Sequence, residues 1–258
     1  MKNNLFYIFF LFFAVVAFAQ GPEPIKNDTV WVKGLPVVFV NVETGSFEMG
    51  GTAEQSVAAA SDEKPSHVVT LRDYKIAQTE VTQELWQTVM DNNPSTIKGS
   101  NRPVHNVSWY DCMEFIETLN TVTGHTFRLP TEAEWEFAAR GGNRSKGFRF
   151  AGSNNAEKVA WNAEMLGGAE LYFVKQRQPN ELGIFDMSGN AYEWCSDIYD
   201  KYSDKQQTDP LGADFGENRV LRGGSWLTPR TKCRVSARNN SLPYNRNIDF
   251  GFRLVLEK

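Results

Sequence analysis

The sequence predicts an α+β fold of low regularity, about three short helices packed on small antiparallel sheets. Three helical patterns, each opened by a hydroxyl residue, fall between Thr82 and Arg140, with β-branched runs ahead of them at Thr29 to Asn41 and His67 to Leu71. Beyond Gly142 the periodicity fades into Gly, Asn and aromatic residues, so turns and side-chain contacts must hold this half more than long ladders do. At 258 residues, 41% hydrophobic and 13% aromatic, the chain has ample apolar surface for a packed core, as one large domain or two small ones.

Taken in order, the chain begins with Lys2, an apolar run from Leu5 to Val16, and Ala17, Phe18, Ala19, a small-x-small pattern. This predicts a secretory signal peptide cut after Ala19 and an exported mature protein, periplasmic, secreted or at the cell surface. The run is short for a membrane span, and no later stretch reaches the ~18 apolar residues that spanning requires. No cysteine stands at the expected cut, which gives no support for a lipid anchor. Losing Lys2 makes the formal charge of −4 one unit more negative, against the basic face expected of a nucleic-acid binder. Residues 20–38 read as a tail and first strand. Thr29 to Asn41 with Gly45 to Met49 suggests a hairpin, Gly51 to Pro65 a mobile polar surface loop, and His67 to Leu71 a strand.

Thr82 caps the first helix, where Leu85, Trp86, Val89 and Met90 share a side until Asn92 to Pro94 stops it. Ser108 with Asp111 forms a capping box ahead of Cys112, Phe115, Ile116 and Leu119, ending before Gly124. Thr131 with Glu134 opens the third helix and Gly141 with Gly142 ends it. There Trp135 and Phe137 or Ala138 face inward, while Glu132 and Glu136 face water or pair with Arg128 and Arg140. Leu171 to Val174 is a brief strand candidate. His67, His105 and His125 lack metal-ligand spacing and read as structural.

The run Gly183 to Asp197, GIFDMSGNAYEWCSD, gathers Asp186, Asn190 and Glu193 around a bendable Gly189. Such oxygens suit a hard cation, since Ca²⁺ takes six to eight oxygen ligands, main-chain carbonyls among them. A tight turn with ordinary acids fits the same spacing.

With RLPTEAEWEFAAR from Arg128, RGGSW from Arg222 and GFRL from Gly251, this run resembles the formylglycine-generating enzyme family of sulfatase-modifying-factor domains. The resemblance begins at FVNVETGSFEMGG and covers residues 39–258. It implies one domain of the formylglycine-generating-enzyme fold, related to C-type lectins. It also implies structural calcium held by Asp186 and Glu193 side chains and Gly189 and Ala191 carbonyls. The family's oxidases carry two copper-binding cysteines with four residues between them after the RGGSW-like motif, because Cu(I) prefers soft thiolates. Here SWLTPRTKCRVSAR holds Cys233 alone, which argues against copper. Counted forward from Ser225, Cys233 takes the second thiol's place with Thr228 at the first; counted back from Arg238, it matches neither.

Three cysteines, Cys112, Cys195 and Cys233, would give one disulfide and one thiol in an oxidising compartment. The resemblance brings the segments of Cys195 and Cys233 together, as a disulfide or as a divergent copper oxidase's sulfur pair acting on a sulfatase. The favoured expectation is a non-catalytic, calcium-stabilised module engaging a protein or glycan at the cell envelope. Its candidate surface is Trp226, Arg230, Arg234, Asn239, Asn240, Tyr244, Asn245 and Arg246, whose residue types make large contacts and adaptable hydrogen bonds. Arg222, Arg238 and Arg253 read instead as internal struts.

Overall fold

The computed structural model describes residues 24–55, 59–165 and 170–257, so the expected signal peptide lies outside the described residues. Asn27–Val32 (β1) and Leu35–Val42 (β2) pair antiparallel across Lys33 and Gly34. Both turn residues have positive φ, 46° and 90°, the backbone that a two-residue hairpin turn needs to match strand twist. The hairpin therefore closes inside the Thr29 to Asn41 run. Gly45–Met49 (β3), expected to join it, pairs instead with His67–Leu71 (β4).

Tyr74–Ala77 (β5), Phe127–Arg128 (β6) and Val255–Leu256 (β12) complete a five-stranded sheet in the order β1-β2-β5-β12-β6. The last strand thus sits between elements of the first half. Tyr192–Ile198 (β7), Arg219–Arg222 (β9), Arg238–Ser241 (β10) and Phe250–Gly251 (β11) form a second sheet, order β10-β9-β7-β11. Gln207–Thr208 (β8) adds to β4 in a third. The sheets are not purely antiparallel as expected: β11 runs parallel to β7 and β8 to β4. Long irregular returns permit this, since a parallel neighbour cannot follow a tight turn.

All three expected helices start at their expected caps. Gln83–Met90 (α1) is opened by Thr82, whose hydroxyl accepts from Leu85 N. Trp109–Thr123 (α2) and Glu132–Ala139 (α3) open with the Ser108–Asp111 and Thr131–Glu134 capping boxes, and Gly124 ends α2 with left-handed backbone. Ala156–Val159 (α4) is a single further turn, and Leu171 to Val174, expected as a strand, lies outside any strand. No helix among the described residues is long and apolar enough to cross a membrane. One core cluster packs α1 and α2 with Trp86 stacked on Phe115 at 5.0 Å; a second surrounds Trp135 and Phe137 of α3.

α3 departs from the expected pattern because every one of its residues is buried. Glu136 does pair with Arg140, but it also accepts from Gly50 N at 2.8 Å and pairs with fully buried Arg222. Glu132 takes Arg238 through both oxygens at 2.6 and 2.7 Å. Arg128 binds Glu134 instead. The covering layer is the polar segment expected to be mobile: Gln55 and Glu63 are buried, and Glu63 holds Arg234 at 2.5 and 2.7 Å.

Removing one partner of a buried pair strands the other charge, at a cost of about 3–5 kcal/mol, whereas exposed pairs contribute about 1 kcal/mol or less. Arg222→Ala is therefore expected to lower unfolding free energy by about 3–5 kcal/mol, and Arg246→Ala, which breaks an exposed pair with Asp111, by about 1 kcal/mol or less, in urea titrations. Burial, then the neighbouring Glu132 carboxylate, pushes Asp197 up to about 7. An acid raised on folding binds its proton more tightly folded than unfolded, so stability falls as pH rises from about 4 through 7. Asp197→Asn should remove part of that fall, seen as a smaller difference between unfolding midpoints at pH 5 and pH 8.

Candidate functional site

The GNAYEW segment enters β7 through a turn in which Asp186, Gly189 and Asn190 have φ of 59°, 79° and 65°. A Cβ at Gly189 would come 2.0 Å from the Trp161 carbonyl oxygen, so glycine is required by close approach as well as by φ. Asn190 then ties the region together. Its N–H donates to Trp161 O, its side-chain oxygen accepts from Tyr172 N, and its carbonyl accepts from Trp226 N.

Of the expected calcium ligands, Glu193 is fully buried and already paired. Arg253 donates to both its oxygens at 2.5 and 2.6 Å, and Trp135 Nε1 donates at 2.6 Å. Asp186 is also buried; one oxygen accepts from Lys175 N at 2.8 Å and the other has no partner. Burial pushes its carboxyl up to about 6, with Glu193 adding to the rise. That unpartnered acceptor fits a bound cation. Among the described residues no three His, Cys, Asp or Glu side chains converge as a metal cluster, so a cation here would rely on carbonyls such as those of Gly189 and Ala191.

Sequence reasoning missed Glu80. It is buried, neither carboxylate oxygen has a partner, and burial followed by Asp186 and Glu193 pushes its acid well up. Nothing in TEVT marks it; an acid next to a valine reads as a surface position at the end of a strand.

Beyond the RGGSW turn, Thr228 Oγ1 lies 4.0 Å from Cys233 Sγ. The two residues singled out by the forward count from Ser225 therefore lie side by side. Gly224, with φ of 73°, lets the turn lie against the thiol, since a Cβ there would stand 2.8 Å from the sulfur. Cys233 is buried with Phe150, Ala156, Val159 and Ala160, and burial pushes its thiol up to about 12. Cys195 packs in the other core, near Asp197, Glu132 and Arg222. All three cysteines are free, so the expected Cys195–Cys233 disulfide does not form, and the two side chains pack in separate clusters. A lone thiol does not fit Cu(I).

The expected recognition surface is smaller than its sequence suggests. Arg234 points inward to Glu63, and Trp226 is buried. Asn239 and Asn240 lie half-buried in β10, while Arg230, Tyr244, Asn245 and Arg246 are exposed, Arg230 beside Glu164 and Arg246 beside Asp111. Arg222, Arg238 and Arg253 are the internal struts expected.

Residues 35–258 match the sulfatase-modifying factor enzyme 1-like domain. The chain belongs to this family. A chaperone protein, LppX, of Paenibacillus barcinonensis is 33% identical over 81% of this chain and 88% of its own. The formylglycine-generating enzyme of Streptomyces coelicolor is 34% identical over 59% of this chain, and the match spans 52% of that enzyme. The solved structure of Treponema denticola variable protein 1 superposes with a TM-score of 0.81 at 30% identity, covering 90% of this chain and 99% of that one. The α+β architecture is thus that of formylglycine-generating-enzyme-like, C-type-lectin-like proteins.

Buried, protonated thiols react slowly because the thiolate is the nucleophile. Iodoacetamide is expected to label none of Cys112, Cys195 and Cys233 in the native protein, and all of them after unfolding without reductant, as read by mass spectrometry.

Proposed function

We propose that this chain is an exported, non-catalytic member of the family that binds a protein or glycan at the cell envelope and is stabilised by calcium. The observation that carries the reading is Thr228 beside Cys233, where the family's oxidases place a second thiol. A hydroxyl is a hard, weakly acidic donor and does not replace a thiolate on Cu(I). The contact surface comprises the exposed Arg230, Tyr244, Asn245 and Arg246 with the half-buried Asn239 and Asn240. A relative named as a chaperone supports a protein partner. With copper and a cysteine peptide, the purified protein is expected to consume no oxygen above a Cys233→Ser control; copper-dependent turnover lost in that variant would overturn the proposal.

Calcium is assigned to Asp186 and Glu193 with the Gly189 and Ala191 carbonyls. The unpartnered Asp186 oxygen supports it, as do the left-handed residues that turn this backbone. When bound, the ion neutralises buried carboxylate charge and ties the turn to β7. Any ligand specific to the folded state stabilises it by mass action, about 2.7 kcal/mol at a hundred times its Kd. Chelator should therefore lower the Tm by about 5 °C or more, and Asp186→Asn should remove the chelator effect. An unchanged Tm contradicts the assignment.

A further inference from the structure

We propose that the cavity between β4, the end of β7 and the segment leading to β8 binds a guanidinium group, held by Asp197 and His67. Its volume is ≈ 200 Å³, below the ~300 Å³ at which drug-sized ligand pockets begin, so it suits one small group rather than a large cofactor. Asp197, His67, Glu132, Tyr202 and Arg238 line it, and Gly212 closes over the acid. Gly212 has φ of 85°, and a Cβ there would stand 2.7 Å from the Asp197 Cβ, so bare backbone covers the carboxyl group.

Two acceptors in this wall are left over. Asp197 is 4% exposed, and its Oδ2 accepts from Glu132 N and from the Ser196 hydroxyl, both at 2.9 Å. Its Oδ1 receives no hydrogen bond among the described residues, yet it keeps accessible surface, unlike the sealed, unpartnered oxygens of Glu80 and Asp249. His67 is also buried, and its Nδ1 stands 3.3 Å from Pro65 O, a carbonyl that only an N–H can serve. In the neutral ring the proton therefore sits on Nδ1, which leaves the Nε2 lone pair without a protein donor. In His105 the same atom accepts from Thr96 N and Ile97 N.

The cation already in the wall is committed, since Arg238 closes on both oxygens of Glu132. A buried carboxylate oxygen and an imidazole lone pair on different elements therefore call for a positive ligand whose N–H groups point in two directions. A guanidinium is a rigid planar fork of such donors and is less strongly hydrated than an ammonium, so it enters a small cavity at lower cost. A metal ion fits less well, because no three His, Cys, Asp or Glu side chains converge among the described residues. Neither Asp197 nor His67 belongs to the calcium assignment or to the C-terminal surface, so the inference stands apart from both.

The test is titration of the full folded chain at pH 8 with methylguanidinium and with methylurea, its neutral isostere, by calorimetry and by NMR of the His67 ring. Burial raises the Asp197 carboxyl to about 7, so at that pH it is ionised. Saturable binding of the cation, about tenfold or more tighter than methylurea, is expected from a charge-assisted hydrogen bond. Asp197→Asn, which keeps an oxygen for Glu132 N, should remove that preference, whereas Asp200→Asn at the exposed rim should leave it within about twofold. His67→Phe, which keeps a ring beside Tyr202, should weaken the cation about fivefold by removing one acceptor. The His67 resonance in the natural chain reads the site even where a variant fails to fold. Free L-arginine and the tripeptide Ac-Gly-Arg-Gly-NH2 separate the sources: tighter free arginine assigns a small guanidino compound, and tighter peptide assigns a partner's arginine. Equal binding of methylguanidinium and methylurea, no saturable binding, or a cation preference that survives in Asp197→Asn would each overturn the proposal.

Discussion

Four buried arginines, each closed on a buried carboxylate, join segments of this chain that share few ladder hydrogen bonds. Arg253 links the GFRL segment to Glu193 of GNAYEW, Arg222 links RGGSW to Glu136 of α3, Arg238 links β10 to Glu132, and Arg234 links the same region to Glu63 of the long polar loop. Ladders are short here: β6, β8, β11 and β12 have two residues each. Guanidinium contacts, bidentate at Arg253, Arg238 and Arg234 and single at Arg222, therefore supply geometry that short strands cannot. Their net contribution to stability is modest because desolvation offsets attraction, but each fixes a register, since a slip would strand two charges at once.

The same lattice explains which parts of the fold were legible in the sequence. Caps and turns are local, so Thr82, Ser108 and Thr131 announced their helices, and Gly189 its turn, without knowledge of tertiary contacts. Hairpin pairing was misjudged because Lys33 lies in a left-handed conformation that favours glycine or asparagine, which hid the turn inside the β-branched run. α3 looked amphipathic because acids usually mark a solvent face. Its acids are buried because arginines from distant motifs and the polar loop cover them. Glu80 carried no signal at all, as its isolation is a tertiary fact.

Site chemistry divides similarly. The lone cysteine after RGGSW could be counted directly, whereas only the forward count from Ser225 put Thr228 in the first thiol's place and the count back from Arg238 matched neither. What counting could not supply was the other sulfur's position: Cys195 follows GNAYEW closely but packs in the cluster around Trp135 and Phe137, whereas Cys233 packs with Phe150 and the residues of α4. Of the arginines and aromatics along residues 226–246, sequence could not separate recognition from support. Arg234 and Trp226 serve the interior, while Tyr244, Asn245 and Arg246 remain outside.

In the proposed reading, an ion-pair scaffold surrounds a single sulfur, Cys233, with the Thr228 hydroxyl beside it. Anaerobic competition for Cu(I) against a chromogenic chelator tests it most directly, comparing the natural chain with Thr228→Cys. The account predicts no copper retained by the natural chain and one ion held by the variant, whose two sulfurs satisfy the metal's preference. A natural chain that holds one Cu(I) through two sulfurs would contradict it.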